Sequence, residues 1–269
     1  MNDNAKVFSL IEMREMMIDT SDYQMMEEVG EFTGILEMKA QDKENLPTSE
    51  TITIFTPEEI KIFKDEAFST FSNGKRKYQQ AAAYILMLNT GLRTGEVLGL
   101  LNSDIDIENR VMHLNRGVKE ISKRDGVTAE KGREVKVGKL KSATSKRDVP
   151  LNDIAIEMIL DLRKEFYYGE DSPLIPDENG NFTRPVNFRK RYYRILKAAG
   201  IETKVLHSLR HTFATNLVNG IKQKDGTIKS LTPRQVADLL GHTTSEITEL
   251  YYVKRDLTKL NGVTDGFEI

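Results

Sequence analysis

Two histidines four residues apart, with an arginine between them, stand in the stretch LHSLRHTFATNL, residues 206–217. The i, i+4 spacing of His207 and His211 on a helix is one that zinc sites use. Arg210 argues against a metal, because its permanent guanidinium charge repels a cation. Ser208 also stands where a metalloprotease helix needs a glutamate as general base. Two readings stay open on this segment alone. Either the histidines sit satisfied in a core, or the three side chains grip an anion. Guanidinium forks match the equatorial oxygens of a phosphoryl group undergoing substitution, and imidazoles add hydrogen bonds or move protons.

Other segments supply groups of the same chemistry. TGLRTGEVLGL places Arg93 just past a glycine turn, with Glu96 one helical turn on, where it can orient the guanidinium. KLKSATSKRDVPL puts Lys141 in a turn, where a long amine can reach into a cleft. LLGHTTSEITELYY offers His242 at a glycine break, with Tyr251 nine residues later. Each piece taken singly also has an ordinary reading: a helix cap with a surface ion pair, a solvated lysine, a core aromatic.

Positioning these groups requires helices joined by a small sheet. Thr56, Pro57, Glu58 and Glu59 in TITIFTPEEIKIF form a helix start: an N-cap, a proline at the first position and acids at the positive helix end. QQAAAYILMLNTG reads as a strongly apolar helix ending at Gly91, and TGEVLGL as another just after it. Between Asp104 and Leu151 the texture changes. VMHLNRGVKEI and EVKVGKL have strand character, with DG and KG turns between them. PVNFRKRYYRILKAAG returns to helix, with Phe188, Tyr192 and Ile195 as its apolar stripe. Arg189, Lys190, Arg191, Arg194 and Lys197 cover the rest of that helix. On the helix of LHSLRHTFATNL, Leu206, Leu209, Phe213 and Leu217 form the apolar face, with Arg210 at its edge and both histidines just beyond. TPRQVADLLG and SEITELYYV complete the helical set. The expected class is therefore mainly α with a small antiparallel β insert.

Composition sets the outer limits. The 269 residues include no cysteine, which excludes disulfides and thiolate ligands. No run of about 18 apolar residues is present, so no membrane span is expected. Acids stand where a signal peptide needs a basic start, so a cytoplasmic protein is expected. The net charge of -2 hides a division. Residues 1–50 hold 12 acids and 4 bases, leaving 29 acids and 35 bases for the remainder. That first segment also carries seven of the ten methionines and reads as a short acidic helical layer ahead of a unit spanning 51–269. A modestly basic body is compatible with nucleic-acid binding.

Together, TGLRTGE, KSATSKRDVPL, HSLRHTFAT, LGH and TELYY, in that order, resemble the tyrosine recombinase (phage integrase) family, from about Ile52 to Val253. The resemblance implies a tyrosine recombinase catalytic domain at 51–269 that cleaves and rejoins DNA without metal, cofactor or ATP. Arg93 and Arg210 would clamp the scissile phosphate, and His207 and His242 would complete the cradle. Lys141 would protonate the leaving 5′ oxygen and Tyr251 would attack phosphorus, giving a covalent 3′-phosphotyrosine. Glu96 and His211 would support them. Lys139 and Lys146 flank Lys141, but the family's K-x-x-x-S-x-R hairpin, met by Lys141, Ser145 and Arg147, selects Lys141. The T-x-x-Y spacing from Thr248 selects Tyr251 over Tyr252. Partners implied are double-stranded recombination sites of a mobile genetic element and a homotetramer on DNA, in a bacterial or phage-infected cell. The residues after Tyr251 resemble the tail that members dock on a neighbouring protomer. Arg189, Lys190, Arg191, Arg194 and Lys197, with the insert bases Lys119, Lys123, Arg124, Lys131, Arg133 and Lys136, would meet the DNA backbone. Members usually carry a further N-terminal helical domain of about 100 residues, a typical small-domain size. Here an acidic segment of half that length precedes the unit, as expected of a shortened integrase, of a fragment of a longer one, or of a remnant that binds DNA without recombining it.

Overall fold

The computed structural model describes residues 53–123, 132–140, 146–223 and 225–241. Outside these lie the acidic methionine-rich segment, the DG turn, Lys131 of the KG pair, Lys141, His242, Tyr251 and the tail.

Helix α1 (Pro57–Ala67) starts as its sequence requires. Glu59 N donates to Thr56 Oγ1 at 3.2 Å, and Thr56 N donates to Glu59 Oε2 at 2.8 Å, a reciprocal capping box. Helix α2 (Ala82–Thr90) has no polar side through its first turns, since Ala82 to Met87 are all buried. A helix apolar all round belongs in the core, and α2 runs through it, packed against α4 (Asp153–Phe166) and α6 (Ser208–Asn219). Helix α5 (Pro185–Ala199) buries Phe188, Tyr192 and Ile195, the apolar stripe its spacing marks. Aromatic contacts join three helices. The Phe63 ring lies 5.8 Å from Tyr192 and 6.3 Å from Tyr84, and Tyr84 lies 4.5 Å from Phe188. The Tyr84 hydroxyl is satisfied inside the core by donating to Phe188 O at 2.7 Å.

The sheet insert follows the short helix α3 (Thr94–Leu98). Strands β1 (Ile105–Asp106), β2 (Val111–Leu114) and β5 (Arg147–Pro150) form one antiparallel sheet in the order β1-β2-β5. Strands β3 (Arg116–Lys123) and β4 (Gly132–Lys139) form a separate hairpin. The segment VMHLNRGVKEI, which alternates like one strand, is thus two strands in two sheets. The break falls at Asn115, whose Nδ2 donates to Asp104 Oδ1 at 3.0 Å, while Arg116 pairs with the other carboxylate oxygen. A buried acid holding both residues turns the chain between sheets.

A second departure follows α6, where a two-stranded ribbon, β6 (Ile221–Lys222) and β7 (Ile228–Lys229), precedes α7 (Pro233–Leu240). Its turn holds Asp225 and Gly226, the latter at φ 88°, and Asp225 Oδ1 accepts from Thr227 N at 2.9 Å. An Asp-Gly pair is a strong hairpin signal, and Asp225–Gly226 is the sequence feature that marks this ribbon. Among the described residues, no helix is long and apolar enough to cross a membrane.

Candidate active site

The site begins where α2 ends. Gly91 takes the left-handed conformation at φ 65°, turning its carbonyl outward from the helix axis. Arg210 Nη1 donates to that carbonyl at 2.7 Å. A Cβ on Gly91 would lie 2.5 Å from Phe213 Cδ1 and 2.7 Å from Leu240 Cδ2, so glycine is required by conformation and by space. Four residues later a Cβ on Gly95 would lie 2.8 Å from Val118 O. The second glycine of TGLRTGE therefore lets α3 press against β3.

Between these glycines Arg93 caps α3. Its backbone N–H donates to Glu96 Oε2 at 2.9 Å, and its Nη1 donates to Glu96 Oε1 at 2.8 Å. Glu96 is 3% exposed and serves more than one arginine. Arg147 Nη1 and Nη2 donate to its two oxygens at 3.1 and 3.2 Å. Arg210 Nη1 stands 4.0 Å from Oε2. Burial alone would push the Glu96 carboxyl up. The charges of Arg93, Arg147 and Arg210, with the Arg147 hydrogen bonds, outweigh it and bring the pKa down to about 2. Three guanidiniums around one carboxylate leave a surplus of positive charge, with Arg147 and Arg210 closed off from water, an arrangement suited to holding an anion.

The helix α6 side of the site differs from its sequence reading. Arg210, placed by periodicity at the edge of the apolar face, has a side chain only 1% exposed. The end of α7 lies over it, and Arg210 Nη2 donates to Leu240 O at 2.8 Å. His207 precedes α6 and is also buried; its ring stacks edge-on to His211 with centroids 4.7 Å apart. Packing around the His211 ring disfavours its charged form, and the adjacent Arg210 charge adds to this, bringing its pKa down to about 3. His211 is therefore neutral and adds no charge beside the guanidiniums. Thr53 and Ser208 share a hydroxyl hydrogen bond of 3.1 Å, and Phe55 N donates to Thr212 Oγ1 at 2.9 Å, so the chain entering α1 also steadies α6.

The structure thus brings together Arg93, Glu96, His207, Arg210 and His211, from two separate sequence segments. Arg147 joins them without having been singled out as a site residue. Its signal was the last position of K-x-x-x-S-x-R, which served in the sequence only to set the register of Lys141. Among the described residues, no three His, Cys, Asp or Glu side chains converge as metal ligands would.

The basic helix α5 divides. Lys190, Arg194 and Lys197 are exposed, Arg189 is 1% exposed and Arg191 donates to Gln80 Oε1. Arg189 lies beside Phe188 on the buried face, so the outward-facing bases of α5 are fewer than its sequence suggests.

The family model described as "Phage integrase family" matches residues 54–257. The chain belongs to the phage integrase family. Among relatives of this integrase-family chain is the tyrosine recombinase XerC-like protein of Caldanaerobacter subterraneus subsp. tengcongensis, 30% identical over 217 residues. That match covers 73% of the chain and 52% of the relative. The transposase from transposon Tn916 of Enterococcus faecalis is 26% identical, over 74% of the chain and 47% of its own length. The chain thus spans about half the length of these curated relatives. In fold it resembles the Tn1549 transposon integrase solved in complex with circular intermediate DNA. There the TM-score is 0.63 at 18% identity, covering 92% of the chain and 77% of the other. XerA recombinase is similar at TM-score 0.52 and 20% identity, covering 90% and 71%. The mainly helical architecture with small antiparallel sheets is that of the integrases.

Proposed function

We propose that this chain carries the strand-breaking and rejoining centre of a site-specific tyrosine recombinase. The observation behind this is the convergence of Arg93, Arg147 and Arg210 on buried Glu96, with His207 alongside. A phosphodiester resists substitution because its charge repels nucleophiles and its alkoxide leaves badly. Arg93 and Arg210 address the first problem by taking up charge on the phosphoryl oxygens. Lys141 addresses the second as general acid.

In this reading the Tyr251 oxygen, on losing its phenolic proton, attacks phosphorus. The bond from phosphorus to the 5′ oxygen breaks, and Lys141 delivers a proton to that oxygen. The product is a 3′-phosphotyrosine and a free 5′ hydroxyl. Attack by a 5′ hydroxyl on the phosphotyrosine reverses the chemistry and reseals a strand, so neither metal nor ATP enters. His207 and His242 complete the phosphate cradle. Lys190, Arg194 and Lys197 meet backbone phosphates and position the duplex without reading its sequence. The assembly is a homotetramer on double-stranded recombination sites, with the segment after Tyr251 exchanged between protomers, in the cytoplasm and on the nucleoid.

A second reading, a DNA-binding remnant without productive recombination, draws on the 12 acids against 4 bases in residues 1–50, which repel phosphates. One experiment separates the two. Duplexes enriched by the protein from a random pool are converted to nicked suicide substrates and incubated with it. An SDS-resistant covalent adduct, lost in Tyr251→Phe while DNA binding persists, supports the recombinase. Enrichment without any adduct supports the remnant. EDTA leaves adduct formation unchanged if the chemistry is metal-free.

A further inference from the structure

Among the described residues, helix α7 packs mainly on one neighbour. Its apolar residues Val236 and Leu240 form, with Ala214 of α6, a small cluster separate from the main core, and its principal packing partner is α6. The last carbonyls of a helix have no partner within it. In α7 two of these, Leu239 O and Leu240 O, accept from guanidiniums, Arg147 Nε at 2.9 Å and Arg210 Nη2 at 2.8 Å. Arg210 belongs to α6, which already packs on α7. Arg147 belongs to β5 and ties α7 to the sheet and to Glu96 on α3.

Arg147 has the right chemistry for this work. Its side chain is 8% exposed, and Nε, Nη1 and Nη2 each donate to a protein acceptor. The planar fork spans a carboxylate on one side and a carbonyl on the other, at fixed mutual geometry. Positive charge is also favoured where the negative end of the α7 dipole emerges. The next residues in sequence after α7 are Gly241 and His242, with Tyr251 nine further on.

We propose that Arg147 is a positioning residue, which locks the C-terminal turn of α7 to the Glu96 anchor of Arg93, so that the chain leading on to His242 and Tyr251 departs from a fixed point. This rests on the recombinase reading above. It assigns Arg147 to the nucleophile's side of the reaction, although it follows the Lys141 turn in sequence.

The test has two arms, only one of which needs recombinase activity. In the DNA-free full chain, hydrogen exchange of the peptide covering Leu239 to Gly241 rises at least tenfold in Arg147→Gln, while α2 peptides keep their protection. Unchanged exchange at the α7 end overturns the proposal, as does equal loosening of α2. In the second arm, single-turnover adduct formation falls at least tenfold while DNA affinity and its salt slope hold. A salt slope shallower by about 0.9 makes Arg147 a phosphate ligand instead and overturns the proposal. A substrate with sulfur replacing the 5′ oxygen needs little protonation on leaving. It rescues Lys141→Ala but not Arg147→Gln, and rescue of Arg147→Gln overturns the assignment to the nucleophile's side. Arg147→Lys keeps a cation for Glu96 but has no fork to reach Leu239 O. It shows the α7 exchange increase in a chain whose Glu96 remains paired, and normal exchange there sinks the proposal. If the wild type forms no adduct at all, the recombinase reading fails with the mechanism built on it, while the exchange arm still reports on the α7 lock.

Discussion

Arg194 and Arg210 both lie on helices rich in polar groups, yet they live under opposite conditions. Arg194 stands in solvent on the outer face of α5 beside Lys190 and Lys197. Arg210 is closed in, its Nη atoms on two backbone carbonyls and near the carboxylate of Glu96. A guanidinium in water costs nothing to keep charged and holds no fixed geometry. One inside a protein is tolerated only where acceptors compensate its desolvation, and those acceptors fix its orientation. The buried cluster therefore suits chemistry that needs groups aligned before substrate arrives. The exposed stripe suits contacts that need only charge.

The sharpest way to break the cluster is to remove its common acceptor. Glu96→Gln leaves the guanidiniums of Arg93, Arg147 and Arg210 facing a neutral amide in a buried setting. Stripping one partner from a buried ion pair typically costs about 3–5 kcal/mol. In a chain of this size each kcal/mol moves Tm by about 2–4 °C, so a fall of roughly 6 °C or more is expected in calorimetry. A variant melting within a degree of wild type shows that Glu96 is not the anchor.

Next in size is Gly91→Ala. The left-handed backbone costs a residue with a Cβ roughly 1–2 kcal/mol, and crowding against Phe213 and Leu240 adds about 1–3 kcal/mol. Denaturant unfolding should show a loss of roughly 2–5 kcal/mol. Gly138→Ala is the matched control, because a Cβ there meets nothing within 4 Å, and its midpoint should barely move.

The same residues show how much of this was legible in advance. Arg93, Glu96, His207 and Arg210 could be chosen from the sequence because TGLRTGE and HSLRHTFAT stand in order with the other boxes of the family they resemble, although either box alone also reads as an ordinary cap or core. The helices, and the end of one at Gly91, followed from apolar periodicity and caps such as Thr56 with Glu59. What escaped was set by contacts distant in sequence. Arg147 reaches Leu239 across 92 positions, and nothing local announces that partner. Arg189 and Arg194 look equivalent in PVNFRKRYYRILKAAG, but only packing against α1, α2 and the sheet decides which face of α5 is closed. The β2–β3 break was hidden because alternation continues through Asn115, and only Asp104 reveals the turn.

Acid should loosen the cluster's surroundings. A carboxyl held near 2 instead of its ordinary 4.5 contributes stability that is complete above about 4.5 and lost as pH falls toward 2. His211 acts earlier. Its pKa falls from an ordinary 6.5 to about 3, so the unfolded chain takes up a proton that the folded chain refuses. Stability therefore declines as pH drops from about 6.5 toward 3. Urea midpoints measured from pH 7.5 to 4.5 should fall more steeply in wild type than in His211→Gln, which lacks that proton. Parallel curves would remove burial of His211 from the account.

The smallest stability effects belong to α5, and there the contrast between regions is sharpest. Lys190→Ala, Arg194→Ala and Lys197→Ala remove charge from a solvated face, so each should change stability by less than about 0.5 kcal/mol. Arg189→Ala removes a buried side chain from the same helix and should cost more through lost packing. DNA binding sorts them the other way. Each outer base that meets a phosphate releases a counterion, so its loss makes the dependence of log K on log salt shallower by about 0.9. Salt titrations of the three exposed variants and Arg189→Ala, on one enriched duplex, give both readings. If Arg189→Ala changes the slope as its exposed neighbours do, the DNA-bound form turns Arg189 outward and the division of α5 does not survive binding. If none of the four changes it, the duplex lies elsewhere, and the β3–β4 hairpin with Lys119 and Lys136 is the next face to titrate.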